Sequence, residues 1–476
     1  MDFINREQEF AELDALAQER SAQFVLVYGR RRVGKTTLLT TWAERSGLPT
    51  FYWVAKRGPR SVIMANLAQH IYAWEHQRDQ PDVEIRPADW DAALGMLAKA
   101  IGAQKAIVIL DELPYVLEQD PGFASYLQAA WDHQFKQTQV RLFVSGSHIG
   151  MMTRLVEYQA ALYGRFTAQL PVQPLAFPDI AQFLPGYDVF KRLAVYAIVG
   201  GIPAYLERWR AAESLHANVE RLFLRRTGWF RNEPFILISD LSQRETDKFE
   251  LILRAIANGQ HARDAIAKAT FVPTESLSHY LPRLLDLLLI ERRIPATVPL
   301  PKREISRESR YFLRDPFLRF YYRFVDPNLH LIEQGHTHHL WTSMEENFRA
   351  FVAELFEEQC REWVTRQAQR GVLPLKPDIV GGHWGSDAQI DVVAINWREK
   401  QILLGEAKWG DKKVAREVIR ELIDKTALVV PEGGEGWRVY YAFFAREGFT
   451  DAAREEAAQV SSLMLTLPEM ESGLKL

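Results

Sequence analysis

The 476-residue chain has a single cysteine, Cys360. No intramolecular disulfide and no cysteine-based zinc site can be built from one thiol, and such poverty fits a reducing cytoplasm. Net charge is nearly absent too. The 58 Lys and Arg face 61 Asp and Glu, a formal charge of −3. No chain-wide basic field advertises nucleic acid, so any surface for it must be local. No apolar run can span a bilayer: the most apolar stretch, Leu193 to Leu206, is short and broken by Gly200, Gly201 and Pro203. Met1 to Glu7 hold neither a basic nor an apolar targeting region, so no signal peptide is expected. Internal repeats and low-complexity tracts are missing as well. The expectation is a cytoplasmic chain that avoids membranes.

What is present is the balance of an ordinary globular protein, 47% hydrophobic and 25% charged. The length suggests about three domains. Apolar runs at residues 23–28, 50–55, 106–110 and 141–145 read as buried parallel strands with helices between them. This pattern predicts an α/β domain with a parallel sheet over 1–172. Residues 173–240 read as a helical lid. Residues 241–314 read as three helices and a strand pair, a winged helix-turn-helix. Residues 315–345 read as a connector. From 346 to 476 a long helix leads into two strands, Gln389–Asn396 and Gln401–Lys408, and further α/β structure.

The strongest chemical signal is Gly29-Arg30-Arg31-Arg32-Val33-Gly34-Lys35-Thr36, which satisfies the Walker A pattern of a P-loop. Gly29 and Gly34 let the backbone turn its N–H groups, that of Val33 among them, toward phosphates. The following helix adds its N-terminal dipole. Lys35 is expected to neutralise β and γ oxygens, Thr36 to hold Mg²⁺, and Thr37 to follow along the phosphate path. Arg30, Arg31 and Arg32 are either phosphate or subunit contacts, or solvated loop positions. Ile107 to Glu112 supplies the matching Walker B strand. Asp111 would hold Mg²⁺ and Glu112 would orient or deprotonate the attacking water. Ser145, at the end of the next strand, is a candidate γ-phosphate sensor or a strand-end turn. Arg165 is either an arginine finger or a surface ion pair. ATP and Mg²⁺ are the expected cofactors.

With these motifs the chain resembles the archaeal-type ATPases of the STAND branch of AAA+ proteins over residues 1–230. Phe3-Ile4-Asn5-Arg6-Glu7-Gln8-Glu9 is similar to the family's N-terminal box, with Asn5 in place of glycine. The resemblance implies that this box, Arg6 included, borders the adenine. It implies too that Pro203, in Gly201-Ile202-Pro203, packs on the base. A nucleotide-gated switch between ATP and ADP states follows, with self-association through the ATPase. The C-terminal half resembles the domain that often follows such ATPases, on Tyr311 to Phe320, and that domain is thought to be related to PD-(D/E)XK nucleases.

DNA is the expected partner of the middle region. The third helix offers only His279 and Arg283, which is thin for major-groove reading. Residues 283–323 hold ten basic against five acidic residues, so Arg292, Arg293, Lys302, Arg303, Arg307 and Arg310 are the phosphate candidates. Further on, Glu406-Ala407-Lys408 matches the E-x-K element of metal-dependent nucleases, a triplet of little value alone. Geometry raises it. Pairing of 396 with 401 sets Asp391 opposite Glu406 on one face. Two such carboxylates repel unless a cation lies between them, and Mg²⁺ suits an all-oxygen site. Lys408 would position water. The resemblance adds Glu357 as the helix carboxylate, while Gln389 departs from the glutamate usual there. Three readings stay open: active nuclease, silent nuclease fold, and structural ion pairs. The cluster His336, His338 and His339 is read as a solvated loop.

Overall fold

The computed structural model describes residues 5–78, 85–239, 245–337 and 340–475. The chain divides into two compact units, one of residues 1–174 with 202–204, the other of 175–201 with 205–476.

The first unit is a five-stranded parallel sheet: β1 (Gln23–Tyr28), β2 (Thr50–Val54), β3 (Ile107–Asp111), β4 (Arg141–Gly146) and β5 (Ala168–Pro171), in the order β2-β3-β4-β1-β5. Every residue of β3 and β4 is buried, as continuous apolar runs with both faces covered require. Four strands stand where the sequence placed them. The fifth was missed because β5 has only four residues and half of its side chains are exposed. The order matters for chemistry. β4 lies between β1 and β3, so its C-terminal end stands between the Walker A and Walker B residues. Helix α1 (Glu7–Gln18) precedes β1, and α2 (Lys35–Ser46) follows it.

The second unit begins with α3 (Val189–Val199), which closes on Gly200 and Gly201. At Gly201 a Cβ would lie 1.8 Å from the Leu175 carbonyl oxygen, and Leu175 N donates to Gly201 O at 2.8 Å. Only glycine permits that approach. Gly201→Ala is expected to cost roughly 3 kcal/mol by overpacking backbone on backbone, read as a lower urea midpoint. An unchanged midpoint would show that the segment relaxes freely.

Three helices follow, α4 (Thr246–Ala257), α5 (Arg263–Thr270) and α6 (Thr274–Asp286), and then the antiparallel pair β6 (Ile290–Arg293) and β7 (Arg310–Leu313). The apolar stripe of α6 is buried through Leu277, Leu281 and Leu284. Residues 315–345 are not a connector. Pro316–Phe320 is helical and continues through Tyr321–Val325. Phe317 packs 5.2 Å from Phe230, and Phe320 5.0 Å from Phe223. The density of aromatics there is core material, which a sequence rich in proline and histidine disguises.

Helix α7 (Leu340–Gln369) runs 30 residues. After it come β8 (Ile379–Trp384), β9 (Gln389–Asn396) and β10 (Gln401–Lys408), joined antiparallel, then β11 (Arg438–Ala445) and β12 (Ser462–Thr466), joined parallel. Helix α8 (Leu467–Leu474) ends the described chain. The expected lid does not stand apart from this region. α3 meets α8 through an Arg192–Glu471 ion pair at 2.6 Å, and Phe190 lies 6.3 Å from Trp409. Residues 175–201 and 205–475 therefore form one unit instead of four, because hydrophobic and ionic contacts cross every boundary drawn from pattern alone.

Candidate nucleotide and carboxylate sites

The phosphate loop leaves β1 at Gly29, where a Cβ would meet the Val172 carbonyl oxygen at 2.3 Å. Gly34 turns with φ 97° and begins α2. Lys35 is only 5% exposed. Its Nζ donates to the carbonyls of Gly29 (3.0 Å) and Arg30 (3.2 Å) and to Ser147 Oγ (3.0 Å). Burial lowers its pKa, and the charges of Glu112 and Asp111 oppose that. Ser147 passes the link on, donating to Glu112 Oε1 at 2.7 Å.

Asp111 is the second hub. Thr36 Oγ1 donates to its Oδ2 at 2.6 Å, and Tyr52 Oη to the same oxygen at 3.3 Å. Its Oδ1 accepts from Glu112 N at 2.9 Å and from Ser145 Oγ. Burial, and after it Asp111, raise the Tyr52 pKa and keep the phenol a donor. Thr36 and Thr37 are exposed on the first turn of α2. A threonine hydroxyl against a carboxylate is a hard-oxygen pair that fits Mg²⁺, an ion that keeps several waters.

Two expectations change here. Ser145 is fully buried and holds Asp111, so it cannot sense a γ-phosphate. Ser147, two residues on and beyond the strand end, is the hydroxyl that reaches Lys35 and Glu112. Its signal was visible in Ser145-Gly146-Ser147, but alternation alone does not say which serine leaves the core. Arg165 is the other. Ala168 pairs with Val25 in parallel, so Arg165 lies near the N-terminal edge of the sheet, about 20 Å of strand from the loop that follows Tyr28. Its guanidinium instead pairs with Asp132 at 3.2 Å and bonds the Tyr163 carbonyl. It is no finger for its own chain's site.

Arg6, expected to border a base, is engaged with the loop itself. It is 7% exposed, and its guanidinium donates to the carbonyls of Val33 (3.1 Å) and Gln173 (2.6 Å) and to Glu9 (2.6 Å). It thus ties the loop to the segment after β5. Asn5 and Arg6 both have positive φ, 59° and 89°, a conformation asparagine tolerates where glycine is usual. Phe3 and Ile4 of that box lie outside the described residues, as do His338 and His339; His336 is exposed. In the loop, Arg31 donates to Tyr115 Oη at 3.4 Å, Arg32 has φ 67°, and Arg30 is half-buried. Pro203 is half-buried at the start of a short helix, within the segment that clusters with the first unit.

In the second unit, Val392 pairs with Gly405, so the next position sets Asp391 opposite Glu406. Asp391 Oδ2 accepts from Ala407 N at 3.0 Å. Lys408 Nζ pairs with Glu406 Oε1 at 2.5 Å. Glu357 on α7 lies 3.7 Å from Arg361, which also donates to the Asp391 carbonyl at 2.6 Å. Burial first, and Glu406 second, push the Asp391 carboxyl up; burial first, and Asp391 second, do the same for Glu357. Gln389 is exposed. Among the described residues, no group of three or more His, Cys, Asp or Glu is gathered so as to hold a metal ion; Lys408 takes one oxygen of Glu406, and the Ala407 amide takes one oxygen of Asp391. Sequence reading missed Arg361, although it stands one helical turn after Glu357, and Lys425, 3.8 Å from Glu406.

The basic residues of the middle region are also engaged. His279 lies 3.7 Å from Glu245, and Arg283 sits over the Phe249 ring. Arg293 pairs with Glu358 at 2.7 Å. Arg292 donates to the Glu304 and Ser306 carbonyls, Arg303 to those of Ile294 and Pro295. Lys302 and Arg307 are exposed.

Comparisons with known proteins match two separate parts of the chain. Residues 3–209 match a family described as an ATPase domain predominantly from Archaea. Residues 321–419 match a family described as archaeal and bacterial proteins of unknown function. An uncharacterized protein of Methanocaldococcus jannaschii is 28% identical over 451 residues, 94% of this chain and 96% of its own. An ATP-binding protein of the same organism is 43% identical over 42 residues, 9% of this chain and 71% of its own. A Walker-type ATPase of Pyrococcus abyssi superposes with a TM-score of 0.50 at 19% identity, covering 68% of this chain and 96% of that one. No helix among the described residues is long and apolar enough to cross a membrane. The P-loop geometry, the parallel sheet and these likenesses support an archaeal-type P-loop ATPase domain over residues 3–209.

Proposed function

We propose that the chain is a nucleotide-gated switch that binds and hydrolyses ATP and acts through its C-terminal half on DNA. The observation that carries the ATPase part is the hydroxyl relay from Lys35 through Ser147 to Glu112, beside the Thr36–Asp111 pair. Lys35 would turn from the Gly29 and Arg30 carbonyls to β and γ oxygens. Glu112 would orient water in line and take its proton. Mg²⁺, held by Thr36 and Asp111, would supply positive charge to the phosphate oxygens. Arg6 would fix the loop, and Pro203 would cover the base. With Arg165 out of reach, an arginine for the γ-phosphate would come from a second copy, which makes self-association part of the reading. The setting is cytoplasmic.

Helices α4 to α6 with the β6–β7 hairpin have the layout of a winged helix. The succession of α7, the antiparallel β8–β9–β10 and the parallel β11 resembles a PD-(D/E)XK nuclease. Asp391, Glu406 and Lys408 would be its catalytic face, with Glu357 the helix carboxylate. A second reading is favoured by the Lys408–Glu406 pair and by Gln389: the domain binds DNA or protein and does not cut. Plasmid incubated with the protein, Mg²⁺ and ATP separates the two. Cleavage lost in Asp391→Ala supports the nuclease; cleavage unchanged in that variant rules the site out. No cleavage, with nucleotide-dependent DNA retention, supports the second. Lys35→Ala should abolish ATP binding, and full retention of ATP would sink the P-loop assignment.

A further inference from the structure

We propose that the cavity in front of Asp391 takes single-stranded nucleic acid by its phosphates, with the β6–β7 hairpin as the wall that excludes a duplex. The inference rests on the nucleic-acid reading of the C-terminal half and names the substrate class of that site.

The cavity measures about 950 Å³ and lies wholly within the second unit. Asp391 and Glu357 line it from β9 and α7; Arg292, Arg303 and Arg310 line it from the hairpin. Its lining holds nine arginines and six carboxylates, a local positive excess in a chain of net −3. The excess is concentrated. Arg293 and Arg319 share Glu358, Arg323 has Glu354, and Arg366 has Glu362. Arg292, Arg303 and Arg310 have no carboxylate partner among the described residues. Arg292 and Arg303 bond only neutral carbonyls, and Arg310 rests over the Trp384 ring at 5.1 Å. Burial, then the charge of Arg292, lower the Arg303 pKa, as expected of cations held together without an anion. Uncompensated guanidinium groups and an arginine-backed indole are the two elements of a single-strand site: charge for the backbone and a platform for a base.

The hairpin is fixed in place as a wall. Ala296 N donates to Gly382 O at 2.8 Å, Thr297 Oγ1 bonds His383 Nδ1 at 2.7 Å, and Trp384 Nε1 donates to the Glu308 carbonyl at 3.0 Å. Ala296 is fully buried among the core residues of the C-terminal sheet. A wing so docked is not free to lie along a groove of its own. The cavity volume equals a cube about 10 Å on edge, narrower than the roughly 12 Å major groove of B-DNA alone. The hairpin docked on β8 would stand between a duplex backbone and Asp391 and leave room for one strand.

The test is fluorescence anisotropy on the full chain carrying Asp391→Ala, with a labelled oligothymidine and a duplex of equal length. The single strand should bind at least tenfold more tightly, and its affinity should fall with salt. Arg310→Glu and Arg292→Glu should each weaken it tenfold or more, with thermal unfolding monitored to confirm folding. Lys99→Glu, exposed and outside the cavity lining, should change it less than threefold. Equal or tighter duplex binding overturns the proposal whatever the variants do. So does unchanged affinity in both folded arginine variants. If the native chain cuts nothing but the single-strand preference holds, the nuclease reading fails and this inference stands.

Discussion

Glu112→Gln is expected to lower ATP turnover by about 10²- to 10⁴-fold, the usual worth of a positioned general base, while ATP binding survives. The side chain sits just past β3 with φ 54°, a left-handed conformation that aims it away from the strand direction. Ser147 holds one of its oxygens, and Lys35 reaches the same hydroxyl. Glutamine keeps the size and an acceptor oxygen for Ser147 but cannot take a proton from water. Phosphate release should therefore collapse, and titration with a fluorescent ATP analogue should stay within a few-fold of the native value. Equal loss of binding and turnover would mean that Glu112 shapes the loop. Turnover close to native would remove it from the chemistry.

The second large effect concerns stability. Glu358 on α7 accepts from Arg293 of the hairpin at 2.7 Å and from Arg319 at 3.0 Å, with one fifth of its side chain exposed. Glu358→Ala leaves the nearly buried Arg319 without its anion and Arg293 with Glu291 alone, which should cost about 3 kcal/mol. The same hub sets a pH dependence. Although burial opposes it, Arg319 and then Arg293 hold the Glu358 carboxyl down at about 2, below its ordinary 4.5. A folded-state pKa below the unfolded value means that the unfolded chain binds the proton first as pH falls. The contribution of Glu358 is thus whole above about 4.5 and drains away as pH drops toward 2. Urea unfolding of native protein and Glu358→Ala at pH 7 and under acid should show a gap that narrows in acid. A gap that stays constant would assign the cost to lost packing.

The candidate nucleotide site was legible as a motif because its geometry is local. Gly29 to Thr36 is one turn of backbone at the end of one strand, and Asp111-Glu112 is the end of another. Parallel pairing of buried apolar runs then brings both ends to the same sheet edge. Even the antiparallel register that sets Asp391 opposite Glu406 followed from a four-residue turn, since a short hairpin leaves little choice of pairing. The sequence alone therefore determined the α/β class of the first unit, the strand-end placement of Gly29 to Thr36 and of Asp111-Glu112, and the opposition of that carboxylate pair.

Only the tertiary structure decided how side chains are spent. Ser145 and Ser147 are equivalent in sequence, yet one is swallowed by Asp111 and the other faces Lys35. Arg165 has the spacing of a finger, but β5, too short to be seen in advance, carries it to the far edge of the sheet. The arginines of 283–323 read as a free basic wing, whereas the fold binds some to carboxylates and turns others into a cavity with Asp391. Domain boundaries failed for the same reason, as the aromatics of 315–345 turned out to be core. A pattern with a period of two or of 3.6 residues reports which face of an element is buried. It does not report which distant element covers that face, and ion pairs and cavities are properties of that second choice.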